Sequence, residues 1–119
     1  MVITLIWLLV ILFLSIIPAG GPQIDTPLDK IIHFIVYGIT AVVFLRVLRL
    51  KVSLTKSIVL SIIFASLYGF AMELLQSALH WREFSFSDEL ANISGALFFG
   101  IIYAVTDYRR KNFPQSPLL

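Results

Sequence analysis

The sequence predicts an all-α membrane protein in which four transmembrane helices form one compact bundle, with both termini in the cytoplasm. Of its 119 residues, 59% are hydrophobic and only 13% are charged, and the mean hydropathy is +0.95. A soluble domain of this size leaves a large share of its residues in water and cannot accommodate that composition. Four apolar segments and an uneven distribution of basic residues complete the prediction, which treats residues 1–119 as a single domain.

The four apolar segments are predicted as helices at about residues 2–17, 27–48, 56–79 and 88–106. A transmembrane helix needs about 20 apolar residues, so the last two segments are long enough, whereas the first two, with apolar runs at about residues 2–17 and 30–45, are on the short side. The first is also compatible with a signal peptide, because Pro18, Ala19 and Gly20 follow it. No Lys or Arg precedes it, however, which favours a helix that is retained.

Sequence signals mark where two of these helices begin. Thr26 is followed three residues later by Asp29, which is the pattern of a capping box. Ser85 and Asp88 have the same spacing before the fourth helix, and an equally good start lies two residues further on. Residues 107–119 are predicted as a short disordered tail in the cytoplasm.

Basic residues set the predicted orientation. Seven of the nine cations lie between the second and third helices or after the fourth: Arg46, Arg49, Lys51, Lys56, Arg109, Arg110 and Lys111. Only Lys30 and Arg82 lie on the other side, so the positive-inside rule predicts cytoplasmic termini and outward-facing first and third loops. We therefore expect a multi-pass protein of the plasma (inner) membrane.

Two classes of chemistry are disfavoured by composition. The basic residues flank apolar segments instead of forming one solvated face, so no nucleic-acid partner is predicted despite the net charge of +2. The chain has no cysteine, which excludes disulfides and thiolate chemistry. The predicted partner is the lipid bilayer.

Polar residues gather near the outer ends of the second, third and fourth helices. At about 1.5 Å per residue, His33 lies about 6 Å below Asp29, Asn92 about 6 Å below Asp88, and Glu73 about 9 Å below the outer end of its helix. Spacings of three and four residues keep each set on one stripe of its helix. Small residues at steps of four before Glu73 indicate that these stripes face inward. We therefore predict a polar cleft that opens to the outer leaflet.

Eight residues are predicted to line this cleft and bind a ligand: Lys30, His33, Tyr37, Glu73, Gln76, Arg82, Asp88 and Asn92. Glu73 and His33 are also the candidate catalytic residues. Insertion of an acidic side chain at mid-membrane costs roughly 2.5–3.5 kcal/mol. Glu73 therefore requires either a partner that compensates its charge or a functional role. His33 is the partner that can titrate near neutral pH.

Structural roles remain open alternatives for these residues. Glu73 could form an interhelical ion pair with Arg82 or Lys30. Asp29 and Asp88 could serve only as helix caps. Gln76 and Asn92 could bridge helices by hydrogen bonds, which are worth about 0.6 kcal/mol on average in a membrane.

Three motifs occur in a distinctive order. Asp29-Lys30-x-x-His33-Phe34-x-x-Tyr37 opens the second helix, Glu73-x-x-Gln76 lies near the end of the third, and Arg82 precedes Ser87-Asp88-x-x-x-Asn92-x-x-Gly95. In this order they resemble the VanZ-like family of small membrane proteins, over helices two to four. The resemblance implies a multi-helix protein of the cell envelope. The family's namesake is associated with resistance to the glycopeptide antibiotic teicoplanin, and the resemblance implies no catalytic assignment.

Three functions fit these residues. The slightly favoured one is binding of a lipid-linked or cell-wall ligand, with Arg82 and Lys30 meeting its anionic groups. A membrane hydrolase or transferase would use Glu73 or Asp88 as general base with His33 as partner, but no nucleophile motif supports it. A proton-coupled carrier would use Glu73 and His33 as a relay, although the cytoplasmic halves of the helices offer no matching charged path. Enzymatic status and oligomeric state stay open.

The spacing of the potential metal ligands does not favour a metal site. It would use His33, His80, Glu73 and Asp88, yet no helix carries a pair of ligands with H-x-x-x-H spacing. No metal and no other cofactor is therefore predicted.

Overall fold

The computed structural model describes residues 1–18, 26–80 and 82–114. Within these ranges the regular structure consists of four helices: α1 (Val2–Ile16), α2 (Pro27–Leu48), α3 (Leu54–Ala78) and α4 (Phe86–Asn112). The last three are long and apolar enough to cross a membrane, with 22, 25 and 27 residues, and α1 is a shorter apolar helix. The predicted all-helical fold with four helices is confirmed, and the protein is a membrane protein.

The helices alternate in direction, which gives the bundle two chemically different ends. At one end α2 and α4 begin and α3 ends; we call it the ionic end. At the other, the basic end, α2 and α4 end and α3 begins, and Met1 lies in a groove with Arg46 and Leu50. The most extensive interface is between α2 and α4, α3 packs against both, and α1 contacts only α2 and α3.

The interior of the bundle is built from small and polar residues. On α3 the buried stripe contains Ser57, Ser61, Ala65, Gly69 and Glu73, so the inward orientation of this stripe is confirmed. The large Leu, Ile and Phe side chains mostly point outward and are exposed. This distribution suits helices whose surroundings are lipid, because small interior residues let the backbones approach closely.

Glycine is required where α2 and α4 approach most closely. A Cβ atom on Gly95 would overlap the backbone carbonyl of Phe34, which cannot move without shifting α2. The position of Gly100 is less demanding, because a Cβ there would meet the Cδ1 atom of Ile62 at 3.3 Å. The α2–α4 interface therefore requires glycine at position 95, whereas Gly100 faces α3 with more room.

Among the described residues, two side-chain hydrogen bonds attach α1 to the rest of the bundle. Trp7 donates from Nε1 to the Thr40 hydroxyl on α2 at 2.9 Å. Tyr68 on α3 donates its hydroxyl to the Leu8 carbonyl oxygen at 2.6 Å. Both bonds cross between helices, so they fix the position of α1 as well as its rotation.

The predicted cap of α2 is present. Thr26 Oγ1 accepts from the Asp29 backbone N–H at 3.4 Å, and the Thr26 N–H donates to Asp29 Oδ2 at 3.5 Å. Asp29 therefore has the structural role that its position indicated. Ser85 caps α4 by accepting from the Asp88 N–H at 3.3 Å, which selects the earlier of the two predicted starts.

The end of α4 differs from the prediction. The helix continues to Asn112, so residues 107–112 are helical and not part of a disordered tail. Asp107 explains this extension, because it faces Arg49 of α2 at 3.6 Å and Lys111 one turn later at 3.1 Å. Cations in the last turn also stabilise the helix, because they interact favourably with the negative end of its dipole. Residues 115–119 of the predicted tail, and the Ala19–Gly20 part of the signal-peptide alternative, lie outside the described residues.

Candidate functional site

Seven polar side chains from α2, α3, α4 and the segment before α4 meet at the ionic end. We call this group the ionic cluster: Lys30, His33, Glu73, Arg82, Asp88, Glu89 and Asn92. Glu73 is 1% exposed, and Asp88 and Asn92 are fully buried. The predicted convergence of these three helices at one level is therefore present in the fold.

Asp88 lies at the centre of the cluster. Its Oδ2 atom accepts a short hydrogen bond from the Arg82 guanidinium and lies 3.7 Å from His33 Nε2. Its Oδ1 atom lies 3.7 Å from Lys30 Nζ. The alternative that Asp88 is only a helix cap is wrong, because Ser85 caps the helix through the Asp88 backbone N–H while the carboxylate pairs with cations.

Glu73 is buried without a conventional partner. Its Oε1 atom lies 3.6 Å from His33 Nε2, and neither carboxylate oxygen has a hydrogen-bond partner within the described ranges. The alternative of an ion pair between Glu73 and Arg82 or Lys30 is not found, because both cations are directed at Asp88 instead.

A hydrogen-bond chain fixes the orientation of His33. Asn92 Nδ2 donates to Glu89 Oε2 at 2.9 Å, and a carboxylate can only accept, so Asn92 Oδ1 points to His33. His33 Nδ1, 2.8 Å from that oxygen, must then carry a proton. The Nε2 atom is left facing Glu73 and Asp88.

Glu89 was missed by the sequence analysis. Its spacing of three residues from Asn92 was the available signal, since residues at i and i+3 lie on the same face of a helix. This signal is weak, because an acidic residue in the first turn of a helix is common and needs no side-chain partner. Its actual contact is with the side-chain amide of Asn92.

The charges of the cluster balance when His33 is protonated. Two permanent cations and the imidazolium then face three carboxylates. Ions removed from water need compensation by nearby charges, so each carboxylate of the cluster needs a cation or a hydrogen-bond donor close to it. With neutral His33, two carboxylates would face the lone pair of Nε2, which is repulsive unless a proton or another cation lies between them.

Three residues have the geometry to hold a metal ion. Ligand atoms of His33, Glu73 and Asp88 lie within 4.8 Å of one another, and histidine and carboxylates are ordinary zinc ligands. The surrounding charge disfavours a divalent ion, because Arg82 and Lys30 are already directed at Asp88. His80, the fourth residue weighed, is exposed just after the end of α3 with φ of 60°. The absence of a metal site stays a prediction.

Tyr37 and Gln76 lie beside the cluster. The Tyr37 ring stacks on His33 with 6.0 Å between ring centroids and is 4% exposed. Gln76 is half-buried and lines a groove of about 150 Å³ between α1, α2 and α3 together with His33 and Tyr37. The rest of the groove wall is mostly apolar, with Ile11, Leu14, Ile32 and Val36. Ligand binding by the eight predicted residues stays a prediction.

The fold and the site together define a helical membrane protein with a buried ionic cluster at one end. Comparisons with protein-family models, with curated proteins and with solved structures gave no match to this chain. The VanZ-like resemblance therefore stays a prediction.

Proposed function

We propose that this chain is a cell-envelope protein that binds a lipid-linked or cell-wall ligand at the outer leaflet of the plasma membrane. In this proposal it crosses the membrane four times, with the basic end in the cytoplasm. Seven of the nine cations lie at that end, which supports the orientation through the positive-inside rule. The 15 residues of α1 span about 22 Å, so its crossing depends on flanking residues or local thinning of the bilayer.

The observation that carries the proposal is the unsatisfied carboxylate of Glu73. A buried charged acceptor without a hydrogen bond is costly, and the membrane provides no water to satisfy it. Hydroxyl, amide or ammonium groups of a sugar or peptide would supply the missing donors. A ligand of this chemistry explains why an acid persists at this position.

The groove beside the cluster suits the lipid part of such a ligand. His33 belongs to both the groove and the cluster, so in this proposal a molecule in the groove contacts the imidazole and displaces it to meet Glu73. The apolar wall favours a hydrocarbon chain, and Gln76 offers a hydrogen-bonding group near the end of α3. Lys30, 35% exposed, is the cation best placed to meet a linking phosphate.

The ordered convergence of the three motifs also supports a cell-envelope role. Lys30, His33, Glu73, Arg82 and Asn92 carry the VanZ-like resemblance, and they converge in the ionic cluster. A resistance-like activity against a glycopeptide antibiotic is the narrower form of this role. Teicoplanin susceptibility of cells with and without the chain tests that narrower form.

A hydrolase or transferase is the second candidate. Its support is the hydrogen-bond chain that presents His33 Nε2 to Glu73 and Asp88 at 3.6 and 3.7 Å. These separations exceed the reach of about 2.6–3.2 Å for direct proton transfer, but a reacting group between them would be in contact with both. A proton-coupled carrier has less support, because between the ionic cluster and the basic end the described interior contains no carboxylate or histidine.

The test is to purify the wild-type chain and the Glu73→Gln variant from bacterial membranes and identify bound molecules by native mass spectrometry. We expect the wild-type protein to retain an amphiphile whose mass includes a sugar or peptide. Glu73→Gln should lower its occupancy about tenfold, since a hydrogen bond to a charged group contributes roughly 1.5–3 kcal/mol.

Glu83→Gln is the matched control, because it makes the same chemical change at an exposed acid of the third loop. It should leave ligand occupancy unchanged. Equal occupancy in Glu73→Gln and wild type, at equal protein levels in the membrane, contradicts the proposal. Turnover of the bound molecule by wild type but not by His33→Gln would favour the enzymatic alternative.

A further inference from the structure

A second groove lies at the basic end, between the last turns of α2 and α4. It has a volume of about 470 Å³ and is bordered by Arg46 of α2 and Arg110 of α4, and Thr106 and Asp107 of α4 also line it. Toward the middle of the bundle its wall is apolar and aromatic, formed by Val42, Phe99, Ile102 and Tyr103. A charged rim therefore continues directly into an apolar channel along the two helices.

The two arginines of this groove have no acidic partner among the described residues. Asp107 is the acid at this end, and it is directed at Arg49 and Lys111 at 3.6 and 3.1 Å. Arg46 and Arg110 are both exposed, and no ion pair joins either of them to the described part of the chain. The groove thus presents two guanidinium groups for an anion from outside the protein.

We propose that this groove binds the headgroup of an anionic phospholipid, with its phosphate between Arg46 and Arg110. Guanidinium groups bind phosphate oxygens by paired hydrogen bonds, and basic pockets between membrane helices suit anionic headgroups. The apolar wall accounts for a lipid as the source of the phosphate, because an acyl chain can follow Val42, Phe99 and Ile102 toward the bilayer centre. A soluble phosphate would leave that wall without a partner.

This site is separate from the ionic cluster. It lies at the opposite end of α2 and α4 and shares no residue with the site at Glu73. It also requires only that the basic end lie at a membrane surface. Its failure would leave the proposed function at the ionic end untouched, and the reverse also holds.

The experiment measures lipid retention by the full-length chain in detergent micelles. Wild type is titrated with phosphatidylglycerol or with phosphatidylcholine, and bound lipid is counted by native mass spectrometry. The double variant Arg46→Gln/Arg110→Gln should bind phosphatidylglycerol about 30-fold more weakly, which corresponds to about 2 kcal/mol at roughly 1 kcal/mol per basic residue. Phosphatidylcholine binding should be weak in both proteins.

Lys51→Gln/Lys56→Gln is the matched control, because it removes the same charge from two exposed residues at the same end but outside the groove. This variant should bind phosphatidylglycerol like wild type. Equal losses in the two double variants would mean a general surface-charge effect and would overturn the site.

Two further outcomes also decide against an anionic phospholipid as the occupant of the groove. Equal retention of phosphatidylcholine by wild type would remove the requirement for an anionic headgroup. Displacement of phosphatidylglycerol by millimolar inorganic phosphate would identify a soluble anion as the occupant. Arg46→Lys/Arg110→Lys keeps the charge, so a folded lysine variant that binds phosphatidylglycerol more weakly than wild type supports paired guanidinium contacts to phosphate.

Discussion

The two ends of the bundle use charged residues in opposite ways. At the ionic end, Glu73 and Asp88 are buried and their partners come from two segments of the chain, α2 and the stretch before α4. At the basic end the charges are mostly exposed, and Asp107 is the acid that links α4 to α2. The first arrangement holds specific side chains in a fixed geometry inside the bundle, whereas the second leaves an excess of positive charge exposed.

The two ends should also differ in the free energy lost when one charged partner is removed. Exposed ion pairs contribute about 0–1 kcal/mol because water and salt screen them. Removal of one partner from a buried pair costs several kcal/mol, since the remaining charge stays out of water without compensation. The same change of residue should therefore have a much larger effect at the ionic end.

The largest expected effect is that of Asp88→Ala. We expect it to lower the free energy of unfolding by about 3–5 kcal/mol, because Arg82 and His33 would lose the carboxylate between them. Asp107→Ala is the matched change at the basic end and should cost about 0–1 kcal/mol. Denaturation of the purified proteins in detergent, followed by circular dichroism, measures both. Similar losses at the two ends would break the comparison.

Glycine positions give the next largest difference. Gly95→Ala should destabilise the protein by about 1–3 kcal/mol, because the new methyl group overlaps the Phe34 carbonyl. Gly100→Ala lies nearer the basic end and meets side-chain atoms of Ile62 and Ile58 at 3.3 Å or more, so helix propensity should offset the contact to within about 1 kcal/mol. Thermal unfolding of the two variants distinguishes them. A Gly95→Ala protein as stable as wild type would show that the α2–α4 interface is looser than described.

The hydrogen-bond chain at the ionic end predicts a smaller effect with a specific signature. Glu89→Ala should cost about 1 kcal/mol, because Asn92 loses one hydrogen bond. It should also release the His33 ring from its single tautomer, which ¹⁵N NMR of the imidazole nitrogens detects. The signals of the exposed His80 serve as the internal control. An unchanged His33 tautomer would mean that Asn92 does not depend on Glu89 for its orientation.

The smallest expected effect belongs to the basic end. Lys111→Ala should cost about 0.3–0.5 kcal/mol, the usual contribution of an exposed pair one helical turn apart. Lys51→Ala, which removes an exposed cation without such a pair, should cost less. A double-mutant cycle with Asp107→Ala isolates the pair. A coupling above 1 kcal/mol would show that the basic end is locked as tightly as the ionic end.

The helices and their inward faces could be predicted because both depend on local patterns. Hydropathy located the four helices, and the step of four residues from Ser61 through Ala65 and Gly69 placed Glu73 on the buried face. The Thr26 cap followed from the same kind of short-range pattern. Each of these features is determined by residues within a few positions of one another.

The partners within the ionic cluster could not be predicted in this way. Arg82 binds Asp88 instead of Glu73, and this choice depends on how far α4 is rotated against α3. The length of α4 was underestimated for a related reason, because Asp107 gains a partner on α2, more than fifty residues earlier in the chain. Contacts between distant segments are absent from local patterns, so the sequence indicated which residues meet but not how they pair.

The attachment of α1 has a consequence for synthesis of the protein. Trp7 bonds to Thr40, and Leu8 accepts from Tyr68, which is made sixty residues later. At about 5–20 residues per second, the ribosome needs roughly 3–12 s to progress from one to the other. Once α2 is made, α1 can form the Trp7–Thr40 bond, but the Leu8–Tyr68 bond must wait for α3. Synthesis of α3 is therefore the step that completes the attachment of α1.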